Sequence, residues 1–208
     1  MQKKILAHFK KVDPILAKFA EKVGPIILEH RRVDKTLDGG NFYFVSLTSS
    51  IVGQQLSGKV ADVIFARFKN LFPKGKITPE YTLKLDTEKI RGIGISYSKI
   101  SYLKDLAQKF KNGEIKHEKF EALLNEEIAE ELIKVKGIGP WTAEMFLMFT
   151  LGREDIFSHG DLGLRRGIEK IYKLKDPTKE EVEKISIKWS PYRSYASLVL
   201  WKSLDIKY

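Results

Sequence analysis

The chain has 208 residues, enough to bury a real core, and its 43% hydrophobic and 31% charged residues are typical of a globular protein. Lys and Arg number 37 against 27 Asp and Glu, and the resulting net charge of +10 fits a polyanionic partner or, equally, a solvated lysine-rich surface. The absence of cysteine excludes disulfides, thiolate zinc sites and iron–sulfur clusters.

The N-terminal part of the chain is predicted to form short helices. The first covers residues 3–11, and Asp13-Pro14 then supplies an N-cap and a favoured first residue for a second helix that ends near Val23. A glycine–proline pair follows. A third short helix through residues 26–28 is expected to end before a turn at residues 38–41.

Residues 42–47 can be interpreted in two ways. They are rich in β-branched and aromatic side chains, which favours a strand. The apolar residues of this region also fit one face of a helix, namely Phe44, Leu47, Ile51 and Val52. We predict a helix.

The middle of the chain is also predicted to be helical. Ser57 is a suitable N-cap for a helix that stops before Pro73, and Thr87 for a short helix that ends at residues 91–94. Ser96 begins a long helix, and two further helices cover residues 117–124 and 126–136. The Gly92-Ile93-Gly94 segment is a plain turn between helices or a degenerate copy of the Gly137-Ile138-Gly139 hairpin described next; the sequence favours the plain turn.

A glycine-rich hairpin follows these helices. Apolar residues recur at helical spacing before it, at Leu124, Ile128, Leu132 and Val135. The helix should end near Lys136, and Gly137-Ile138-Gly139 should form a tight turn into a helix that begins at Pro140. A glycine turn at a helix start leaves backbone N–H groups pointing outward, so a phosphate could bind there.

The C-terminal third continues in helices. They are predicted at residues 140–150, 162–172, 178–189 and 191–204, with a loop that leads to Asp161. Since no convincing strand remains, the fold class is all-α. We expect one lobe from residues 1–55 and 160–208, a second from residues 56–159, and a basic cleft between them.

Several segments together resemble one family. GIGPWTA at residues 137–143, GDLGLRRG at 160–167 and WSPYRSYASLVLW at 189–201 are similar to the helix-hairpin-helix DNA glycosylases, most closely to the 3-methyladenine DNA glycosylase II type. The resemblance covers roughly residues 40–204. It implies a helix-hairpin-helix glycosylase fold that excises alkylated purines, such as 3-methyladenine and 7-methylguanine, from double-stranded DNA in base excision repair. It also supports the helix predicted over residues 42–47.

Asp161 has a structural and a chemical interpretation. Asp is a preferred N-cap, and a helix is predicted to begin at Leu162. The resemblance implies that Asp161 is also the catalytic carboxylate. Breaking an N-glycosidic bond builds positive charge on the sugar, which a fixed carboxylate stabilises. An N3- or N7-alkylated purine is already cationic and leaves neutral, so one carboxylate can suffice.

The resemblance assigns further residues to the base pocket. Trp141 occupies the position where strand-cutting relatives carry a lysine nucleophile, which implies a monofunctional enzyme that forms no Schiff base. Trp141 and Trp201 match aromatic positions that stack on the flipped base, although each could equally be a core residue. Met145 replaces a tyrosine of the family's pocket. Trp189, Tyr192 and Tyr195 are expected to be packing residues.

The resemblance also implies a set of DNA contacts. Gln54 and Gln55 lie where the family inserts a wedge into the gap left by the flipped base, with Gln55 at the intercalating position, although a plain surface amide pair is equally plausible. His159 is not expected to act as a general base. The proposed DNA-binding residues are those of the hairpin and the flanking cations, namely Gly137, Ile138, Gly139, Lys134, Lys136, Arg165 and Arg166.

Cofactors, partners and location follow from the same reasoning. We expect no cofactor, apart from a monovalent cation that the hairpin carbonyls could hold, and a monomer that binds DNA. No apolar run suits a signal peptide or a membrane span, so we expect a cytoplasmic, nucleoid-associated protein in a prokaryote, or a nuclear one in a eukaryote. The alternatives are a non-catalytic helix-hairpin-helix DNA-binding module and a glycosylase for deaminated or oxidised bases.

Overall fold

The structure is a computed structural model that describes residues 2–28 and 39–206, and over these residues the chain is helical without a strand. The all-α prediction is confirmed. The α-helices are α1 (Gln2–Val12), α2 (Pro14–Lys22), α3 (Gly39–Gly53), α4 (Gly58–Lys69), α5 (Pro79–Lys84), α6 (Thr87–Gly92), α7 (Tyr97–Lys111), α8 (Asn125–Leu132), α9 (Pro140–Phe149), α10 (Leu162–Tyr172), α11 (Lys179–Ser186) and α12 (Arg193–Ser203). Single 3₁₀ turns occur at Pro73–Gly75, His117–Lys119 and Ile187–Trp189.

The helices group into two compact units. The terminal unit comprises Met1–His30 and Leu147–Tyr208, and the middle unit comprises Arg31–Phe146. Helix α3 therefore falls in the middle unit, whereas we expected residues up to 55 to join the termini. The second boundary falls within α9 instead of near residue 160.

The terminal unit is built around Asp13. Its Oδ1 accepts a hydrogen bond from the Leu16 N–H (3.0 Å), which confirms the predicted N-cap of α2. Its Oδ2 accepts from the Tyr172 hydroxyl (2.6 Å) and from Nε1 of the fully buried Trp189 (2.9 Å). Burial and the neighbouring Asp13 carboxylate raise the pKa of the Tyr172 phenol far above its usual range. Asp13 thus joins α2 to α10 and to the turn that precedes α12.

The middle unit has a core formed largely by α3 and α7. Phe44 and Leu47 of α3 and Leu103 and Leu106 of α7 are fully buried. The Phe44 and Phe110 rings meet edge to face, with centroids 5.3 Å apart. Because α3 is apolar on several faces, burial between helices overrides its local strand propensity. The helix predicted over residues 42–47 is confirmed.

Two N-terminal predictions are wrong where the structure can test them. Residues 24–28 are not helical, so the third short helix is absent there, and its continuation lies outside the described residues. Helix α3 already begins at Gly39, which removes the turn predicted over residues 39–41; Asp38 lies outside the described residues.

Other differences concern where helices begin and end. Only the short His117–Lys119 turn forms within the helix predicted over residues 117–124. Helix α5 was not predicted, although Thr78 caps it and Pro79 is its first residue. Asp86, not Thr87, caps α6, because its Oδ1 accepts from the Lys89 N–H (2.9 Å). Leu124 is 67% exposed, since it precedes α8 instead of lying on its buried face.

None of the helices in the described part of the chain is both long and apolar enough to cross a bilayer.

Candidate active site and nucleic-acid interface

Asp161 is held rigidly at the start of α10. Its Oδ1 accepts hydrogen bonds from the Leu164 N–H (2.8 Å) and from the Trp201 indole Nε1 (3.0 Å). The first bond is the predicted N-cap, and the second comes from α12. The residue is only half-buried. The arrangement is a fixed carboxylate that a ligand can reach.

Gly163 allows the indole of Trp201 to approach Asp161. A Cβ at position 163 would lie 2.9 Å from Trp201 Cδ1, 3.0 Å from its Nε1 and 3.0 Å from Asp161 Oδ1. Gly167, one turn later, is restricted in the same way, because a Cβ there would be too close to the Leu200 backbone. Two glycines at this spacing let α10 and α12 pack closely. The Trp201 ring also stacks on the Phe149 ring, with centroids 6.1 Å apart.

The loop before Asp161 is tied to the start of α12. Arg193 forms a two-point ion pair with Asp155, Nε to Oδ1 at 2.8 Å and Nη2 to Oδ2 at 3.0 Å. Burial alone would raise the pKa of the Asp155 carboxyl, but the hydrogen bonds from Arg193 and Ser190 hold that pKa below its usual range. Ser194 adds bonds from its Oγ to the Arg153 carbonyl (2.6 Å) and from the Ile156 N–H to its Oγ (3.0 Å). The WSPYRSYA segment therefore fixes the loop that carries Asp161.

Asp161 lines a pocket within the terminal unit. Its lining includes His159, Arg165 and Lys179. Partial burial lowers the pKa of the His159 imidazole, an effect that Glu183 opposes. The Arg165 guanidinium is already paired with Asp176, so it is less available to a phosphate than its position in the sequence indicates. Arg166 is exposed.

The hairpin has the predicted shape but not every predicted detail. Gly137 has φ +78, and a Cβ there would lie 2.1 Å from the Tyr102 ring, so only glycine fits. Gly139 has no such requirement, because a Cβ added there would have no atom within 4 Å and the φ of this residue is ordinary. Within the described part of the chain, the N–H groups of Gly137 and Gly139 have no protein acceptor. Both can bind an anion.

The remaining hairpin residues divide by burial. Ile138 is 4% exposed, and its N–H donates to the Val135 carbonyl (3.1 Å), so its side chain anchors the turn from inside, and the DNA contact assigned to it stays a prediction. Lys134 and Lys136 are exposed. The backbone N–H of Lys136 donates to Asp105 Oδ2 (2.9 Å) of α7, and the residue itself is exposed.

The Gln54-Gln55 segment follows α3 as a tight turn. Gln55 is exposed and has φ +59, an unusual conformation for a residue with a β-carbon. Gln54 instead turns toward the hairpin, where its Nε2 donates to the Gly137 carbonyl (2.8 Å). The two glutamines are therefore not equivalent. Gln55 is free to meet a ligand, whereas Gln54 joins the turn to the hairpin.

The predicted pocket aromatics also separate by exposure. Trp141 is 45% exposed and Trp201 is half-buried, so both rings can be reached. Met145 is 3% exposed, so its side chain is buried, and the pocket contact assigned to it stays a prediction. Trp189, Tyr192 and Tyr195 are buried, which confirms their packing role.

Sequence reasoning missed residues that support the site. Lys99, Tyr102 and Asp105 lie on one side of α7 and contact the glutamine turn or the hairpin. Lys99 could have been noticed in the sequence, because it places a cation in the first turn of a helix, where the helix dipole disfavours positive charge. Gly163 could also have been noticed, because another glycine follows it four residues later, and this spacing permits close packing of helices.

Comparison with known proteins assigns the chain to a family. Residues 48–191 match the model of the HhH-GPD superfamily base excision DNA repair proteins. DNA-3-methyladenine glycosylase 1 of Schizosaccharomyces pombe is 40% identical over 163 residues, which cover 77% of this chain and 72% of that protein.

Solved structures agree with this match. The 3-methyladenine DNA glycosylase of S. pombe in complex with abasic DNA has a TM-score of 0.84 and 35% identity, over 98% of this chain and 97% of that one. The DNA-3-methyladenine glycosidase of Bacillus halodurans has a TM-score of 0.83 and 34% identity, over 98% of this chain and 89% of that one. The fold inferred from the hairpin and the spaced Asp161 is confirmed.

Proposed function

The chain belongs to the HhH-GPD superfamily of base excision DNA repair proteins, and on that premise we propose that it hydrolyses the N-glycosidic bond of alkylated purines in DNA. The 3-methyladenine and 7-methylguanine type of lesion is the substrate class. The observation that carries the proposal is Asp161, a carboxylate held by Leu164 and Trp201 yet still reachable by a ligand. A carboxylate fixed in this way needs no reorganisation when charge develops beside it.

Asp161 and the cationic base of the lesion each contribute to the reaction. As the bond from C1′ to the base breaks, its electron pair neutralises the cationic base, and positive charge develops on the sugar. Asp161 stabilises that charge and orients a water molecule, whose oxygen bonds to C1′. The water loses a proton to Asp161 or to solvent. The products are a neutral free base and an abasic sugar.

We propose that the enzyme is monofunctional. Trp141 stands where strand-cutting relatives have lysine, and an indole cannot form a Schiff base. Borohydride should therefore trap no covalent adduct with lesion-containing DNA, and product strands should break only after alkali. A robust adduct would refute this and would identify another lysine as the nucleophile.

We propose that the hairpin and the glutamine turn bind the DNA. The unsatisfied N–H groups of Gly137 and Gly139 suit a backbone phosphate, and the nearby Lys134 and Lys136 side chains add positive charge. The exposed Gln55 is placed to fill the gap left by a flipped nucleotide. The hairpin carbonyls could also hold a monovalent cation, since Gln54 occupies only one lone pair of the Gly137 oxygen.

The function is tested by base release. Labelled bases should appear from DNA treated with a methylating agent, and far less from DNA that contains hypoxanthine, uracil or 8-oxoguanine. A protein that binds these DNAs and releases no base would be the non-catalytic module. If a deaminated or oxidised base is the main product, then that base, and not an alkylated purine, defines the substrate class. Sedimentation of the protein with and without DNA tests the further proposal that it acts as a monomer.

A further inference from the structure

Lys99 makes contacts that neither the proposed chemistry nor DNA binding explains. Its Nζ donates to the carbonyl oxygens of Val52 (2.8 Å) and Gln54 (2.6 Å). These carbonyls lie at the C-terminal end of α3, where a cation complements both the unpaired oxygens and the helix dipole. The side chain is half-buried, and this burial lowers the pKa of its ammonium group. A half-buried ammonium group that donates to two backbone carbonyls fixes the position of both.

The turn that Lys99 binds contains a residue in a strained backbone conformation. Gln55, directly after the second of these carbonyls, has φ +59. Residues with a β-carbon keep this conformation only where surrounding contacts fix it. Lys99 supplies such a contact through its hydrogen bond to the Gln54 carbonyl, while the Gln55 side chain stays exposed.

The same face of α7 also supports the hairpin. The Tyr102 ring lies beneath Gly137, and Asp105 accepts from the Lys136 N–H. The Gln54 side chain joins the glutamine turn to the hairpin by donating to the Gly137 carbonyl. The glutamine turn and the hairpin are therefore held on one helix.

We propose that Lys99 is a positioning residue for base extrusion. By binding the terminal carbonyls of α3, it fixes the turn in the shape that presents Gln55 to the duplex at a constant distance from the phosphate-binding hairpin. This inference rests on the proposed glycosylase function, because the turn has a task only if a base must leave the stack. It assigns Lys99 no contact with DNA or with the reacting atoms.

The test uses duplex and single-stranded oligonucleotides that carry one 7-methylguanine. Lys99→Met keeps the length of the side chain and removes its donor, and single-turnover release from the duplex should fall by about tenfold, as for the loss of hydrogen bonds from a charged donor. Release from the single strand should change little, because no base has to be extruded there. Lys104→Met is the matched control: Lys104 is also half-buried on α7 and donates to Thr87 Oγ1 (3.1 Å), and its loss should leave both rates unchanged.

Two further variants separate positioning from a general defect. Lys99→Arg keeps a cation with donors and should restore most of the duplex rate. Gln55→Ala combined with Lys99→Met should be no slower on the duplex than Gln55→Ala alone, because the two residues act in one step. A Lys99→Met protein that matches the wild type on the duplex, or loses equally on both substrates, overturns the positioning role. A wild-type protein that releases no base from either substrate overturns the proposed function instead.

Discussion

Asp13 and Asp161 both cap helices in the terminal unit, and each also accepts a hydrogen bond from a tryptophan indole. Asp13 caps α2 and binds Trp189, while Asp161 caps α10 and binds Trp201. Asp13 is 6% exposed, and the Tyr172 hydroxyl adds a further donor. Asp161 is half-buried and lines a pocket.

Exposure decides which of the two aspartates can react with a ligand. A carboxylate that is buried and bonded to several donors contributes free energy to folding, because each donor would otherwise be buried without a partner. A carboxylate that is fixed yet reachable keeps the capacity to stabilise a charge that arrives with a substrate. Helix capping and an indole donor are common to both, so exposure is the property that separates them.

The largest expected effect is on activity at Asp161. Asp161→Asn keeps the size and most of the capping ability while it removes the charge. Single-turnover release of 3-methyladenine should fall by at least ~10²-fold, the lower range for losing a charge-stabilising group in a preorganised site. Binding to lesion-containing DNA should persist or tighten, because a negative charge near phosphates is removed. A titration with labelled DNA measures this.

Asp13 should show the reverse pattern. In Asp13→Asn the new amide presents its NH₂ group to the Tyr172 and Trp189 donors, and the free energy of unfolding should fall by roughly 2 kcal/mol, typical of hydrogen bonds to a buried charge. Thermal and urea melts measure it. Well below the melting temperature, base release should equal that of the wild type. A large loss of release in the folded variant would mean that Asp13 is more than a packing residue.

A smaller effect is expected where Asp161 is positioned. Gly163→Ala places a Cβ within 3.0 Å of the Trp201 indole, which must move and lose its bond to Asp161. Release should fall by about tenfold, the cost of one hydrogen bond to a charged group. Trp201→Phe should show a similar loss, and the double variant should be little worse than either. Independent, additive losses would show that the indole acts on the substrate instead of through Asp161.

The smallest expected effect concerns the hairpin. Gly139→Ala meets no protein atom, so any change reports on the ligand side, and affinity should fall by a few-fold for all DNA sequences alike. The identity of the excised base should not change. For the wild type, log affinity should fall with log salt concentration, with a slope of about −0.9 per neutralised phosphate. Affinity that does not depend on salt would contradict phosphate binding.

Local signals predicted much of the fold. Asp13-Pro14, Ser96 and Asp161 each gave the start of a helix correctly, because a capping side chain acts within three residues. Helix ends and short helices were less accurate. Leu124 fits a helical stripe but precedes its helix, and α5 was missed although Thr78-Pro79 carried the usual signal.

The sequence indicated accessible residues of the candidate site but not the residues that support them. Asp161, Gln55 and Gly139 came from a pattern along the chain, and all three lie at accessible positions. Met145 was assigned to the base pocket and Ile138 to the DNA-binding hairpin, and the family pattern behind both assignments does not show that these side chains are buried. Lys99 acts on residues more than forty positions away in the sequence, and only tertiary structure reveals such a contact.

Asp161 is proposed to perform chemistry that Asp13, its structural counterpart, does not. The most direct measurement is single-turnover release of 3-methyladenine by the wild type, Asp161→Asn and Asp13→Asn, with a thermal melt and a DNA-binding titration on each preparation. We predict that Asp161→Asn melts near the wild type, binds DNA and releases base at least ~10²-fold more slowly, whereas Asp13→Asn melts earlier and releases base at the wild-type rate. An Asp161→Asn protein that stays folded and releases base at the wild-type rate would show that Asp161 is only a helix cap.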